Sequence, residues 1–555
     1  MVAVSKVFLW CGIILCALCI YQMYLERKQD PIKNGSGIKR TWEISDRVYL
    51  ILLAVAAAAA LGARLYQFGA VPGGFNPDGA MAAVDAKALA EHGTDRYGMR
   101  LPVHLTAWGS SQMSTLLSYL LVPFIKVFGF SPVVLRLPQL LVSLAGLVCL
   151  YFFMRDVFGK YMALTAFMFA AINPWHIMQS RWILDCNLYA HFFLFGVYFL
   201  HRGIAKAKRK WLLLSMVFFG LCMYCYGVSI YTMPLFLVMA CVYLLAAKKL
   251  KIAEVLWCAL VYLLIAWPFI LVMMINFFKW ETIETPLFTL PYFPDSIRSN
   301  DILFFSENIG VQLIENFKSL INVTFLQVKD LPWNDIKGYG TMYLFSMPFV
   351  VLGLIALFKR NRKNPGAMLL FFFLMTGIFC GLLTNRVNVN RINIIYYPII
   401  MLAGIGLYEA ARLVPVSRWL LPVCYGFAFC LFVRVYFTTY AGQIRDNFLA
   451  DYGRALAAAK EMDVDKYYIS LYGSQTMTET YVLFYHQLDA EFFQGKTEIE
   501  GDSFEDRYII GTIQEDTVDP TENAAYVVSG AELESFNTEL FDIQQFGNYY
   551  TLQPK

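Results

Sequence analysis

The stretch "VVLRLPQLLVSLAGLVCLYFFMRDVFGKYMALTAFMFAAINPWHIMQ", Val133 to Gln179, holds two apolar runs separated by one short polar turn. Each run has about the 20 residues that a helix needs to cross a hydrocarbon core of about 30 Å. Arg155 and Lys160 flank the turn, on the side where positive charge collects in membrane proteins. Working outward, the pattern repeats. Apolar runs at 7–25, 48–68, 133–154, 161–179, 190–204, 211–228, 229–247, 252–276, 340–358, 366–384, 394–411 and 419–439 predict twelve spans. With that count every basic cluster falls on one side: Arg27, Lys28, Lys33, Lys39, Arg40 and Arg47; Lys206, Lys208, Arg209 and Lys210; Lys248, Lys249 and Lys251; Lys359, Arg360, Arg362 and Lys363; Arg412 and Arg418. Both termini then lie on the opposite, outer side. The apolar stretch 113–128 is interrupted by Pro123 and Lys126, and counting it as a span would scatter the basic loops over both sides. It reads as a helix at the outer interface.

Composition agrees. Of the 555 residues, 58% are hydrophobic and only 15% charged, with a mean hydropathy of +0.52. The expected fold class is mainly α, a polytopic transmembrane bundle with a small α/β domain. The net charge of +4 sits in the short loops that set orientation, so nucleic acid is not expected as a partner. Eleven of the twelve cysteines lie in or beside apolar runs, including the pairs Cys16/Cys19 and Cys222/Cys225, and read as packed residues without a disulfide framework. The run at 7–25 has no small-residue cleavage site and reads as a retained span.

Three regions follow. Residues 1–47 form an extra span and basic cytoplasmic linker. Residues 48–439 form the main membrane domain, with outer loops at 69–132, 180–189, 277–339 and 385–393. Residues 440–555 form a soluble extracytoplasmic α/β domain: "NFLADYGRALAAAKEM" has helical periodicity, and "KYYISLY", "RYIIGTI", "AAYVVSG" and "GNYYTLQ" have strand character.

Polar groups that could carry chemistry gather in the outer loops. In "GGFNPDGAMAAVDAKALAEHGTDRYG", Asn76 suits an N-cap, Pro77 the first helical position and Gly93 the C-terminal stop. Asp78 then falls in the first turn, where the helix dipole favours its ionised form. It serves either as a helix-capping charge or as a proton acceptor; these residues alone leave both open. Asp85 lies two turns on, nearly on the same face, and reads as a solvated position. In "NPWHIMQSRWILDCNLYAHF", Arg181, Asp185 and Asn187 cluster at the boundary of the fourth span, with His176 and His191 nearby and no zinc-like ligand spacing. In "TNRVNVNRINIIYYP", Arg391 stands where a lipid phosphate would lie, with Arg386 nearby, and a guanidinium offers a planar fork of donors suited to phosphate oxygens. Boundary anchoring accounts for these residues equally well.

Those segments, in this order, resemble the glycosyltransferase C superfamily, broadly family 39: bacterial relatives of the protein O-mannosyltransferases and of the lipid A aminoarabinose transferase. The resemblance runs through roughly residues 48–200, in "FNPDGA", "LRLPQLL" with "FFMRDVFGKYMA" and "NPWHIMQSRWILDCN", and returns at "NRINIIYYP". It implies a membrane transferase that takes a sugar from a polyprenyl-phosphate donor and passes it, with inversion, to a glycan, lipid or protein acceptor at the outer face of the cell membrane. It makes Asp78 the catalytic base, Asp185 the second acid and Arg391 the group on the carrier phosphate, with Asp85, Arg181, Asn187 and Arg386 as substrate-binding candidates. The family shows Asp-Glu where this chain has Asp78-Gly79, so the second acid's role is missing there or supplied elsewhere. A divalent cation, magnesium or manganese, is compatible with the superfamily; no obligatory metal or other cofactor is expected here. Two other classes stay open: a transporter or flippase of lipid-linked sugars, and a non-catalytic envelope assembly protein.

Overall fold

The computed structural model describes residues 2–28, 42, 44–294, 309–328, 330–336, 338–361 and 363–555. Among these, eight helical segments are long and apolar enough to cross a membrane: Ser5–Glu26, Asp46–Leu65, Pro132–Phe158, Ser229–Ala246, Ile252–Phe278, Pro365–Leu383, Asn393–Leu413 and Ser417–Asn447. The chain is a multi-pass membrane protein.

Twelve spans were expected, and four of them do not reach this standard. The run at 161–179 breaks into Lys160–Ala171 and Pro174–Gln179, because Asn173 caps the second piece by accepting from the His176 N–H at 3.3 Å. Its first piece, at 12 residues, covers only about 18 Å. Helices Arg209–Cys222 and Met347–Asn361, of 14 and 15 residues, fall short in the same way. Helix Asp185–Lys206 is long enough, but Asp185, Asn187, His191, His201, Arg202 and Lys206 lower its apolarity. The stretch at 113–128 yields a 13-residue helix, Leu116–Phe128, with Pro123 inside it.

The basic turns share one end of the bundle. Lys160 Nζ pairs with Asp46 at 2.8 Å, Arg412 Nη1 with Glu26 at 2.8 Å, and Lys359 Nζ donates to the Met23 carbonyl at 2.5 Å. Asn364 Nδ2 donates to the Val157 carbonyl at 3.1 Å, which brings a further turn to the same place. Lys33, Lys39, Arg40, Arg362 and the side chains of Arg27, Lys28 and Arg360 lie outside the described residues, as does 295–308 of the long loop. At the bundle centre stands helix Tyr396–Leu413, buried along its whole length. Small residues let a neighbour cross it closely: a Cβ on Gly353 would lie 1.9 Å from the Leu402 carbonyl oxygen, and one on Gly406 1.9 Å from that of Phe349.

Two short hairpins stand at the other end, β1 (Leu105–Ala107) with β2 (Ser111–Met113) and β3 (Ile283–Glu284) with β4 (Thr289–Leu290). The C-terminal unit begins after the last span, whose helix continues through a π-turn at Tyr436–Tyr440 to Asn447. Helices Ala450–Lys460 and Gln475–His486 pack on a five-stranded sheet of β5 (Lys466–Ser470), β6 (Tyr508–Gly511), β7 (Ala524–Ser529), β8 (Phe541–Phe546) and β9 (Tyr549–Pro554). Its order is β6-β5-β7-β9-β8, parallel across β6-β5-β7 and antiparallel across β7-β9-β8. Four of these strands match the segments read from sequence. β8, "FDIQQF", is an addition, paired to β9 through the two-residue turn Gly547-Asn548, where Gly547 has φ +60°.

Candidate active site

The site grows from one helix, Pro77–Glu91. Asn76 holds extended backbone at its N-cap, with φ −70° and ψ 154°, and Pro77 opens the first turn. Asn76 makes no side-chain capping bond, so the backbone alone starts the helix. The C-terminal unit holds this start in place. Phe75 N–H donates to the Phe448 carbonyl at 2.8 Å, and the Tyr481 hydroxyl donates to the Phe75 carbonyl at 2.7 Å.

Asp78, in the first turn, lines a cavity of about 250 Å³ together with Asp185 and Arg391. These three come from segments more than a hundred residues apart. One wall is hairpin β1–β2, which presents Ala107, Trp108, Ser111, Gln112 and Met113; Tyr226 adds a phenol. Trp108 is 37% exposed and holds φ +54° at the hairpin tip, an uncommon conformation for a bulky residue. Asp185 opens its own helix, and its Oδ1 accepts from the Cys186 N–H at 2.7 Å. Two of the three groups therefore sit in the first turns of helices, where the dipoles favour negative charge. Arg391 Nη1 donates to Thr384 Oγ1 at 3.3 Å. Its loop is tied down by Asp330, whose Oδ2 accepts from the Val389 N–H at 3.1 Å and from Asn334 Nδ2 at 3.0 Å.

Gly79 explains how the two acids come together. A Cβ there would lie 2.8 Å from the Ile183 carbonyl oxygen and 2.6 Å from Asn76 Oδ1. The helix start thus rests directly on the segment that leads into Asp185. A glutamate at this position would collide with that backbone, and Asp185 brings the second carboxylate to the cavity from the other side.

The remaining candidates lie elsewhere. Asp85 is not a solvated position: it is 1% exposed, pairs with Arg96 Nη1 at 2.9 Å and accepts from the Arg96 N–H at 3.2 Å. Burial pushes its carboxyl upward, and the Arg96 guanidinium pulls it back. Arg96 Nη2 in turn donates to the Thr106 carbonyl at 2.7 Å, tying the helix to β1. Asp85 is therefore engaged with Arg96 behind the cavity wall. Arg181 is fully buried within the protein. It donates to the carbonyls of Ala63, Arg64, Tyr66, Gln67 and Val71 at 2.7–3.1 Å, which leaves no guanidinium face for a ligand. Asn187 is buried and accepts from Asn393 Nδ2 at 3.2 Å. Arg386 is exposed, and its carbonyl accepts from Thr384 Oγ1 at 3.4 Å. None of these four lines the cavity. His176 and His191 are packed in the bundle, both bonded to the Tyr397 hydroxyl, at 3.0 and 2.6 Å.

Trp108, Gln112 and Tyr226 were not singled out in the sequence; no spacing marks a loop residue that reaches a site through a hairpin. Among the described residues, the grouping of three metal-ligating side chains is Glu91, His92 and Asp489, exposed at the far end of the site helix.

Comparison with known proteins bears on the whole arrangement. Residues 113–274 match the family model described as dolichyl-phosphate-mannose-protein mannosyltransferase. The structure is similar to ArnT from Cupriavidus metallidurans bound to undecaprenyl phosphate, with TM-score 0.55 and 13% identity over 92% of this chain and 98% of that one. It is similar to the same protein in the apo state, with TM-score 0.53 and 14% identity over 91% and 97%. A search of curated protein sequences gave no significant match. Residues 113–274 are thus similar to the protein mannosyltransferase family, and the fold as a whole is similar to that of ArnT.

Proposed function

We propose that this protein transfers a sugar from a polyprenyl-phosphate donor to an acceptor hydroxyl at the outer face of the cell membrane, with inversion at the anomeric carbon. The observation that carries this reading is the meeting of Asp78, Asp185 and Arg391 on one cavity, at the end of the bundle away from the basic turns. The positive-inside rule favours a cytoplasmic basic end, and this supports a reading with the cavity and the C-terminal domain outside. The ArnT neighbour was captured with undecaprenyl phosphate, a carrier of the proposed class.

Chemistry follows from the groups in place. A polyprenyl phosphate is a good leaving group, so the reaction needs a base for the acceptor and positive charge for the departing phosphate. Asp78 takes the acceptor proton while the hydroxyl attacks the anomeric carbon from the face opposite the phosphate. Arg391 holds the phosphate oxygens as the carbon–oxygen bond breaks. A helix-tip carboxylate is a weak base, so proton transfer comes late and positioning supplies much of the rate. Asp185 orients the incoming hydroxyl, and Trp108 offers an aromatic face against the sugar ring. A divalent cation, where present, would be held by the carboxylates of Asp78 and Asp185, the oxygen donors magnesium and manganese prefer, and would add positive charge to the site. The acceptor is a cell-envelope glycan, a lipid or a protein.

A transporter would place its working ionisable groups inside the bundle. Among the buried groups there, Arg64, His176, His191 and Tyr397 bond to one another and do not line the cavity. The deciding assay gives purified protein a radiolabelled polyprenyl-phosphate sugar with candidate acceptors. Label should reach an acceptor with the wild type; transfer that persists undiminished in Asp78→Asn would sink the site assignment.

A further inference from the structure

Asp185 opens a helix and Arg391 lies in a distant loop, and one buried amide joins the two segments. Asn393, two residues after Arg391, is 1% exposed. Its Nδ2 donates to the Cys186 carbonyl and to Asn187 Oδ1, both at 3.2 Å, one and two residues beyond Asp185. Its Oδ1 accepts from Trp175 Nε1 at 2.8 Å and from Gln179 Nε2. An indole nitrogen only donates and a backbone carbonyl only accepts, so the two ends of this amide cannot be exchanged. Both hydrogens and both lone pairs of the side chain are used.

We infer that Asn393 is a positioning residue: it clamps the Asp185 segment to the Arg391 segment and so sets the spacing of carboxylate and guanidinium at the cavity. The clamp itself stands on the bonds above, and its catalytic consequence rests on the proposed transferase reading. Aspartate in its place would keep an acceptor toward Trp175 and Gln179. It would turn a second acceptor toward Cys186 O and Asn187 Oδ1, where lone pairs would meet lone pairs.

The test compares the wild-type chain with Asn393→Asp in lipid nanodiscs. Hydrogen–deuterium exchange should rise in segments 183–190 and 385–396 and stay unchanged in β5 and β7. With a polyprenyl-phosphate sugar donor, kcat should fall about a hundredfold, the cost of a misplaced reacting group. Unchanged exchange in both segments, a rise spread across the whole bundle, or a kcat close to wild type would each overturn the inference. Should the wild type neither transfer sugar nor bind undecaprenyl phosphate, the transferase reading fails, while the exchange pattern still decides whether Asn393 is the clamp.

Discussion

Asp78 and Asp85 stand on one helix, two turns apart, and meet opposite surroundings. Asp78 faces a cavity beside Asp185 and Arg391, whereas Asp85 is sealed against Arg96. The difference lies in what the rest of the chain brings to each. The segment 183–185 and the loop around Arg391 leave a space at Asp78 that a substrate can fill. At Asp85, the turn after Gly93 folds back and delivers a guanidinium with its own backbone N–H. One carboxylate is left facing a cavity, and the other is paired inside the wall beside it.

The sharpest way to break this contrast is to neutralise each acid in turn. Asp78→Asn should lower kcat by about 10²- to 10⁴-fold, the usual contribution of a general base, with little change in thermal stability. Asp85→Ala should act the other way, destabilising by about 3–5 kcal/mol because Arg96 is left buried without its partner. Replacing both members, Asp85→Leu with Arg96→Met, should recover much of that loss in a thermal unfolding assay. If Asp85→Ala folded normally but lost transfer, Asp85 would belong to the site after all.

A smaller effect tests how the two cavity acids are held. Gly79→Ala places a Cβ 2.8 Å from the Ile183 carbonyl, so the helix start and the Asp185 segment must separate. The cost should be about 1–3 kcal/mol of overpacking, with a fall in kcat larger than the change in donor KM. Wild-type kinetics in Gly79→Ala would mean that the contact has no bearing on the site.

Much of the fold was legible because apolar run length and basic turns report directly on membrane crossing. The break at Asn173 was not, since the run 161–179 is apolar enough to hide a helix cap. Site legibility divided along the same line. The first-turn place of Asp78 was readable from a local signature, Asn76-Pro77 followed by an acid, while its role was implied only by the family resemblance. Arg181 and Arg391 are alike in sequence, each an arginine at a span end, and the fold separates them: five carbonyls surround the first, and the second reaches a cavity. Asn393 and Arg96 act through partners more than two hundred and about ten residues away, respectively. No sequence period encodes either contact.

Asp335 extends the contrast to a half-buried carboxyl that shares its cavity with a second acid, Asp330. It lines a larger cavity, about 500 Å³, with Asp330, Gln443 and Asn447, and its Oδ1 has no hydrogen-bond partner among the described residues. Burial, with the charge of Asp330 beside it, pushes its carboxyl up to about 6. The folded state therefore holds this proton more tightly than the unfolded chain, where an aspartate titrates near about 3.9. The stability this contributes is complete below that unfolded value and is lost as pH rises through about 6. Asp335→Asn cannot ionise and should escape the loss. Its thermal unfolding should match the wild type near pH ~4 and exceed it by a few degrees near pH ~8. Parallel curves through that range would place the Asp335 carboxylate in water.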